Sequence, residues 1–470
     1  LQYSNELTLK SRLTTLIDQF PFVLDDPAEE EKAFVKIIRD TRNYLTHYDE
    51  NLKSRSASEQ EKVILSKKMM LLLEACLLKE LGFSEEKLKI LIPRSKQNKA
   101  ITENIKKIVN ELIMKGKSLA AVKEHIEAIK CYNNALRLDK KNIDALINKG
   151  VSFHSLNKLN EALDCYEKTL SIDPKNALAL YNKANAFKEL GKINDALTIY
   201  DVVLQINPTF IKALINKGII LGESEKYDDA IRCFDESLKI EPNYVNAFVN
   251  KGVVLTKKRE FELAIENYKK ALMINPNSVL ALFNMGIIHH MFTGKLILAI
   301  ICYNVALEIQ PNNIQILLNK GGVLVEYGNE EKALETYEQI LKIEPKNPNA
   351  LARKGSIFLK RGKTKEGLNL IDEAIVIEPD NTIALMNKGI HYSNSGFPQK
   401  AIDEYYDKII QTHSDDAPAF YNKACALSLL DKDVDAIELL KHVFKLQPTF
   451  KNIAKNDKDF EKIKNTDNFK

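Results

Sequence analysis

Cysteine is scarce in this sequence. Six thiols in 470 residues are too few for a disulfide scaffold, and no two of them stand in the C-x-x-C spacing of a zinc site. Four of them (Cys131, Cys165, Cys233 and Cys302) recur one place before an aromatic, where a small apolar core residue is expected. This thiol usage fits a reducing compartment, so we expect the protein in the cytoplasm. There is no secretory leader and no apolar run long enough to cross a bilayer, and no membrane partner is expected. An excess of charge is lacking too. Lys plus Arg number 68 and Asp plus Glu 64, a net charge of +4, and residues 1–100 hold 17 basic and 16 acidic side chains. No basic arm directs the chain to nucleic acid or a membrane surface. A phosphate-cradling glycine loop and a nucleophile elbow are also missing. His289 and His290 have no third ligand beside them in sequence. We expect neither metal nor cofactor. The chain opens on Leu1, already in a helical pattern, and a further N-terminal portion is expected before it.

What is present is repetition. Ten copies of a 34-residue pattern run from Val109 to Phe450. A first small column reads Gly116, Gly150, Ala184, Gly218, Gly252, Gly286, Gly321, Gly355, Gly389, Ala424. A second follows, from Ala128 to Ala436, with Gly367 in the eighth copy. Four residues later stands an aromatic in most copies (Tyr132, Tyr166, Tyr200, Phe234, Tyr268, Tyr303, Tyr337, Tyr405), and eight further on a proline. Apolar residues recur three and four apart, as on helices. Proline closes the second helix of each copy. Three departures carry expectations. One extra residue between Gly286 and Ala299 predicts a bulged turn near Thr293–Gly294. Asp416 is a second single insertion. Gly367 and Ile371 replace the second small residue and the aromatic of the eighth copy, which predicts looser packing there.

The columns resemble the tetratricopeptide repeat (TPR). The resemblance implies an all-α fold: a right-handed α-solenoid of ten repeats over residues 109–450, ended by a capping helix over 451–470 with Ile453, Phe460, Ile463 and Phe469 to bury. It also implies that the first helix of each pair lines a concave groove for a protein or peptide partner. Two places before the first small column stands asparagine in eight copies: Asn148, Asn182, Asn216, Asn250, Asn284, Asn319, Asn387 and Asn422. An amide both donates and accepts, so such a row can hold the backbone of an extended peptide, or each can bond to its own scaffold. The residues before them (Ile147, Tyr181, Ile215, Val249, Phe283, Leu318) read either as an apolar stripe or as core. Lysine precedes the first small column in nine copies, Met285 being the exception, and is read as solvated or snorkelling.

Residues 1–97 lack the repeat. Four helices are predicted, near 4–20, 27–46, 58–81 and 84–92, followed by a linker over 98–108. The stretch Asp40-Thr41-Arg42-Asn43-Tyr44-Leu45-Thr46-His47-Tyr48-Asp49, with Leu71-Leu72-Leu73-Glu74-Ala75-Cys76 downstream, resembles the ApeA-type branch of the HEPN ribonucleases. The resemblance implies a four-helix bundle that pairs in a homodimer and cuts RNA, with Arg42, Asn43 and His47 as catalytic residues. Their chemistry suits metal-free cleavage: histidine titrates near neutrality and arginine forks onto phosphate oxygens. Asn43 lies four residues before His47, on the same helical face. The tyrosine that nucleotide transfer modifies in some HEPN toxins has no counterpart here, because its place is Asp49. Two functions follow. One is an endoribonuclease effector, in antiviral defence or toxin-like growth arrest, with a partner in the repeat groove. The other is a non-enzymatic adaptor that binds extended peptides and dimerises through its bundle.

Overall fold

The computed structural model describes residues 96–463, and the four helices expected over residues 4–92 lie outside them. Among the described residues every regular element is helical. The chain divides into two compact units at Ala213/Leu214.

In the first unit α1 (Lys96–Ala121) packs on α2 (His125–Leu138), α3 (Ile143–Ser155) on α4 (Leu159–Ile172), and α5 (Ala177–Glu189) on α6 (Ile193–Ile206). The expected linker over 98–108 is instead part of α1, because no proline or glycine interrupts residues 96–115. In the second unit the same pairing continues: α7 (Ile211–Glu223), which begins at the boundary, with α8 (Tyr227–Ile240); α9 (Val245–Lys257) with α10 (Phe261–Ile274); α11 (Val279–Met291) with α12 (Leu296–Ile309). Then come α13 (Ile314–Glu326) with α14 (Glu330–Ile343), and α15 (Pro348–Lys360) with α16 (Thr364–Ile377). The ninth pair sets α17 (Thr382–Asn394) against α18 (Pro398–Ala401), which runs through a π turn (Ile402–Tyr406) into α19 (Asp407–Thr412). α20 (Ala417–Leu429) with α21 (Asp433–Leu446) completes the series.

Seven of the pairs are locked by a ring laid on a missing side chain. A Cβ added to Gly252 would sit 2.5 Å from Tyr268 Cε1, and one added to Gly150 would sit 2.4 Å from Tyr166 Cε1. Gly116, Gly218, Gly286 and Gly321 meet Tyr132, Phe234, Tyr303 and Tyr337 in the same way. These rings are fully buried. Burial raises the phenol of Tyr268 to about 12, despite a contact with the Thr256 hydroxyl. The alanines of the second column, such as Ala162 and Ala264, are wholly enclosed, so the paired helices approach without side chains between them.

The ends of the helices are equally regular. Asn142, Asn176, Asn313, Asn347 and Asn381 each accept a hydrogen bond from the backbone N–H three residues on, capping the first helix of a pair. The turn inside every pair holds one residue in the left-handed region: a glycine in Gly191, Gly294, Gly328, Gly362 and Gly396, but Lys123, Asn157, Glu225, Arg259 and Asp431 in the others.

The three departures resolve differently. The extra residue after Gly286 does bulge the turn: four residues, Phe292 to Lys295, join α11 to α12, and Phe292 stacks on Phe261 at 4.4 Å between ring centroids. Asp416 is not inserted. It caps α20, accepting from Ala419 N at 2.7 Å, as Asn381 caps α17. The surplus residue is wound into the π turn, which makes Tyr406 rather than Tyr405 the ring that lies on Gly389. The Gly367 copy is closer packed, not looser. With both Cβ atoms gone, an added methyl at Gly355 would stand 2.8 Å from the Gly367 carbonyl oxygen, and Ile371 fills the ring's place in full burial.

The capping segment is shorter than expected. α22 (Phe450–Asn456) stops at Asp457, whose carboxylate accepts from Tyr421 Oη at 2.6 Å and caps a single 3-10 turn, Lys458–Phe460. Phe460 and Ile463 are buried on the last pair, whereas Ile453 is half exposed and Ala454 takes the inward place. Phe469 lies outside the described residues.

Two outcomes follow for stability. Gly252→Ala should lower stability by about 1–3 kcal/mol through overpacking against Tyr268, and adding Tyr268→Leu should recover part of it, since Ala424 and Leu440 share one core in the last pair. Urea melts of the two variants test this, and equal stability of Gly252→Ala and wild type would contradict the ring-on-glycine lock. Glu225→Gly should raise stability by roughly 0.5–1 kcal/mol by relieving a left-handed non-glycine residue, read as a higher melting temperature.

Candidate peptide-binding face

The eight asparagines stand in the first helices of their pairs, and all eight side chains are half-buried. Five of the eight amides donate to the protein itself. Asn148, Asn250, Asn319 and Asn422 each donate to the carbonyl four residues earlier, at 2.6–2.9 Å. Asn387 reaches across to the Ala352 carbonyl of the preceding pair at 3.3 Å. Asn182 and Asn284 make no side-chain hydrogen bond among the described residues, and Asn216 is engaged. Scaffold bonding therefore accounts for much of the row. The flanking apolar residues divide: Ile147, Ile215 and Val249 are core, while Tyr181, Phe283 and Leu318 are half-buried.

Five lysines of the column, expected to be solvated or snorkelling, are paired instead. Lys183 pairs with Glu167 at 3.2 Å and Lys354 with Glu338 at 3.1 Å; Lys251, Lys388 and Lys423 pair likewise with Asp235, Asp372 and Asp407. Each pair joins the first helix of one repeat to the second helix of the repeat before. The acid stands one place after the aromatic column, or after Ile371 in the eighth copy, a signal visible in the sequence but lying outside a single repeat. The lysine side chains of these pairs are about four-fifths enclosed, while their carboxylates are about half exposed.

The cysteines hold the expected core places. Cys131, Cys165, Cys233, Cys302 and Cys425 are buried, and burial raises the Cys302 thiol to about 11. His290 pairs with Glu326 at 3.0 Å, and the buried His289 faces Thr293. No helix among the described residues is long and apolar enough to cross a membrane. Arg42, Asn43 and His47 lie outside the described residues.

Helix pairs of fixed length, locked by ring-on-glycine contacts and bridged by a periodic ion pair, define a helical repeat array. Tetratricopeptide repeat models match residues 150–191, 178–209, 211–244, 245–278 and 314–347. The model of the Apea-like HEPN domain matches residues 1–87. The chain is a fusion of an Apea-like HEPN domain with tetratricopeptide repeats. No curated protein matches it. Among solved structures it is similar to pilF of Pseudomonas aeruginosa (21% identity, 45% of this chain and 96% of that one, TM-score 0.40). It is also similar to yeast Tom70 (18%, 74% and 87%, TM-score 0.42) and to YrrB, described as a TPR protein with an unusual peptide-binding site (28%, 40% and 96%, TM-score 0.32).

The two kinds of asparagine should respond differently to truncation. Asn250→Ala should leave the melting temperature unchanged or higher, since alanine is the better helix former and only a bond within one helix is lost. Asn387→Ala should lower stability by about 0.5–1.5 kcal/mol, because it removes a bond between repeats. Differential scanning calorimetry separates the two.

Proposed function

We propose that the protein is a metal-independent endoribonuclease effector whose repeat array binds a protein partner or activator. The match of an Apea-like HEPN model to residues 1–87, the span that holds Arg42, Asn43 and His47, carries this reading. The HEPN domain occupies residues 1–97 and acts as a homodimer, each protomer contributing one motif to an RNA site. The reaction needs no outside nucleophile. The ribose 2′-oxygen attacks the adjacent phosphorus, its proton passes to an imidazole, the P–O5′ bond breaks, and an imidazolium returns a proton to the leaving oxygen. The products are a 2′,3′-cyclic phosphate and a 5′-hydroxyl. His47 takes the proton-transfer role. Arg42 neutralises charge on the phosphoryl oxygens, and Asn43 orients the ring or the phosphate. Such an enzyme acting in the cytoplasm would arrest growth or limit a virus by depleting RNA.

The test is incubation of the whole protein with tRNA and mRNA in EDTA. We expect cleavage with cyclic phosphate ends, reduced about 10²–10⁴-fold in His47→Ala and about 10²–10³-fold in Arg42→Ala. Equal cleavage by wild type and both variants, or none by the wild type under any activator, would refute the assignment.

A further inference from the structure

Two grooves between successive second helices are floored by the column lysine of the intervening first helix. The first lies between α8 and α10. There Lys251 is neutralised by Asp235, and Lys258 at the rim by Asp228 at 2.9 Å and Glu260 at 2.7 Å. The equivalent groove between α12 and α14 has been rebuilt, place for place. Asp228 is replaced by Ile297, Asp235 by Asn304, Lys258 by Tyr327 and Glu260 by Asn329, yet the floor lysine is kept as Lys320. The result is a cavity of about 410 Å³ in which Ile297, Ile301 and Tyr327 are each about half exposed. Among the described residues Lys320 makes no hydrogen bond or ion pair, while Lys183, Lys251, Lys354, Lys388 and Lys423 all do.

We propose that this groove is a second docking site, separate from the asparagine row, for a partner peptide that places a carboxylate on Lys320 beside one or two large apolar side chains on Ile297, Ile301 and Tyr327. Charge complementarity selects the occupant. The lost acids leave one enclosed cation, Lys332 adds a second at the wall with Glu335 as the opposing charge, and Asn304 and Thr336 supply neutral polar groups beside them. The surrounding wall is apolar because α12 carries a single charged residue, Glu308, and presents Ile297, Ile301 and Val305 along one outer line. Burial holds the Lys320 ammonium below the usual lysine pKa, so the group lacks the stabilisation that a carboxylate would restore. Lys183, Lys251, Lys354, Lys388 and Lys423 keep their acid; Lys149, opposite Asn133, also lacks one but lies over the Phe153 ring at 5.7 Å, whereas Lys320 has Leu324 at that place.

The site does not depend on the ribonuclease reading, and its test uses no RNA. The probe is a synthetic array in which each peptide combines one Asp, Glu or free C-terminal carboxylate with two of Leu, Ile and Phe. It is set beside a matched array with Asn, Gln or C-terminal amide. Binding is measured on the full chain by fluorescence anisotropy. We expect carboxylate members to bind at least about tenfold more tightly than their amide twins, and to lose that margin in Asn304→Asp, which restores the ordinary ion pair, and in Lys320→Met. Both variants should melt at or above the wild-type temperature, which separates lost binding from lost folding. Ile297→Asp should also abolish capture, whereas Asn250→Ala should not. No preference for carboxylate members, or equal binding by wild type and Asn304→Asp, would overturn the proposal. So would concentration-dependent self-association of the wild type that Ile297→Asp removes, since a second copy would then be the occupant.

Discussion

The contact between an aromatic face and a residue without a side chain governs this array. A ring such as that of Tyr268 can lie against α9 only because Gly252 offers no Cβ, and the alanine of the second column keeps the two helices close enough for that ring to be fully buried. Neither helix of a pair buries its apolar stripe alone. The lock fixes the pair, and the ion pairs and shared apolar clusters then join one pair to the next. Where the lock is altered, the helices move to compensate. Gly355 facing Gly367 lets the backbones themselves meet, with Ile371 filling the volume that a ring fills elsewhere.

Much of this was legible in the sequence because a repeated packing problem leaves a repeated solution. The glycine and aromatic columns gave the pairs, their order and the bulged turn at Phe292–Lys295 directly. What escaped were features whose partners sit in different copies or whose placement has freedom. The surplus residue of the ninth copy can occupy any place between Ala401 and Asp416 without disturbing the columns on either side. Only the backbone shows it wound into the turn before Tyr406. Lys251 and Asp235 stand in different repeats, so a column read within one repeat shows a lysine and not its partner. The continuation of α1 through 98–108 escaped because a polar, basic stretch reads as a connection when no apolar column marks it. Of the candidate site, the positions of the asparagines were predictable. Their hydrogen bonds were not, since an amide at that place serves its own helix and a bound backbone equally well.

The chain joins two kinds of recognition problem. The family match places an Apea-like HEPN domain ahead of the repeats, and the residues proposed for RNA chemistry are few and carried by one short motif. The repeats spread their polar groups over many copies, and most of those groups are already occupied by intramolecular partners. A departure from the periodic pairing is therefore more informative than the pairing itself. The substitution of Asn304 for the acid found at Glu167, Asp235, Glu338, Asp372 and Asp407 is such a departure, because it leaves Lys320 without the partner those acids provide.

Winding the ninth copy's extra residue into a π turn keeps the connection from α19 to α20 as short as that from α16 to α17, four residues in each case, His413 to Asp416 and Glu378 to Asn381. Length added in mid-helix rotates the downstream half of that helix by one position, and Asp407 accordingly meets Lys423 as Asp372 meets Lys388. Such a repeat can absorb a one-codon gain inside a helix while the following module keeps its phase, whereas a gain in the turn, as at Phe292–Lys295, lengthens the turn itself.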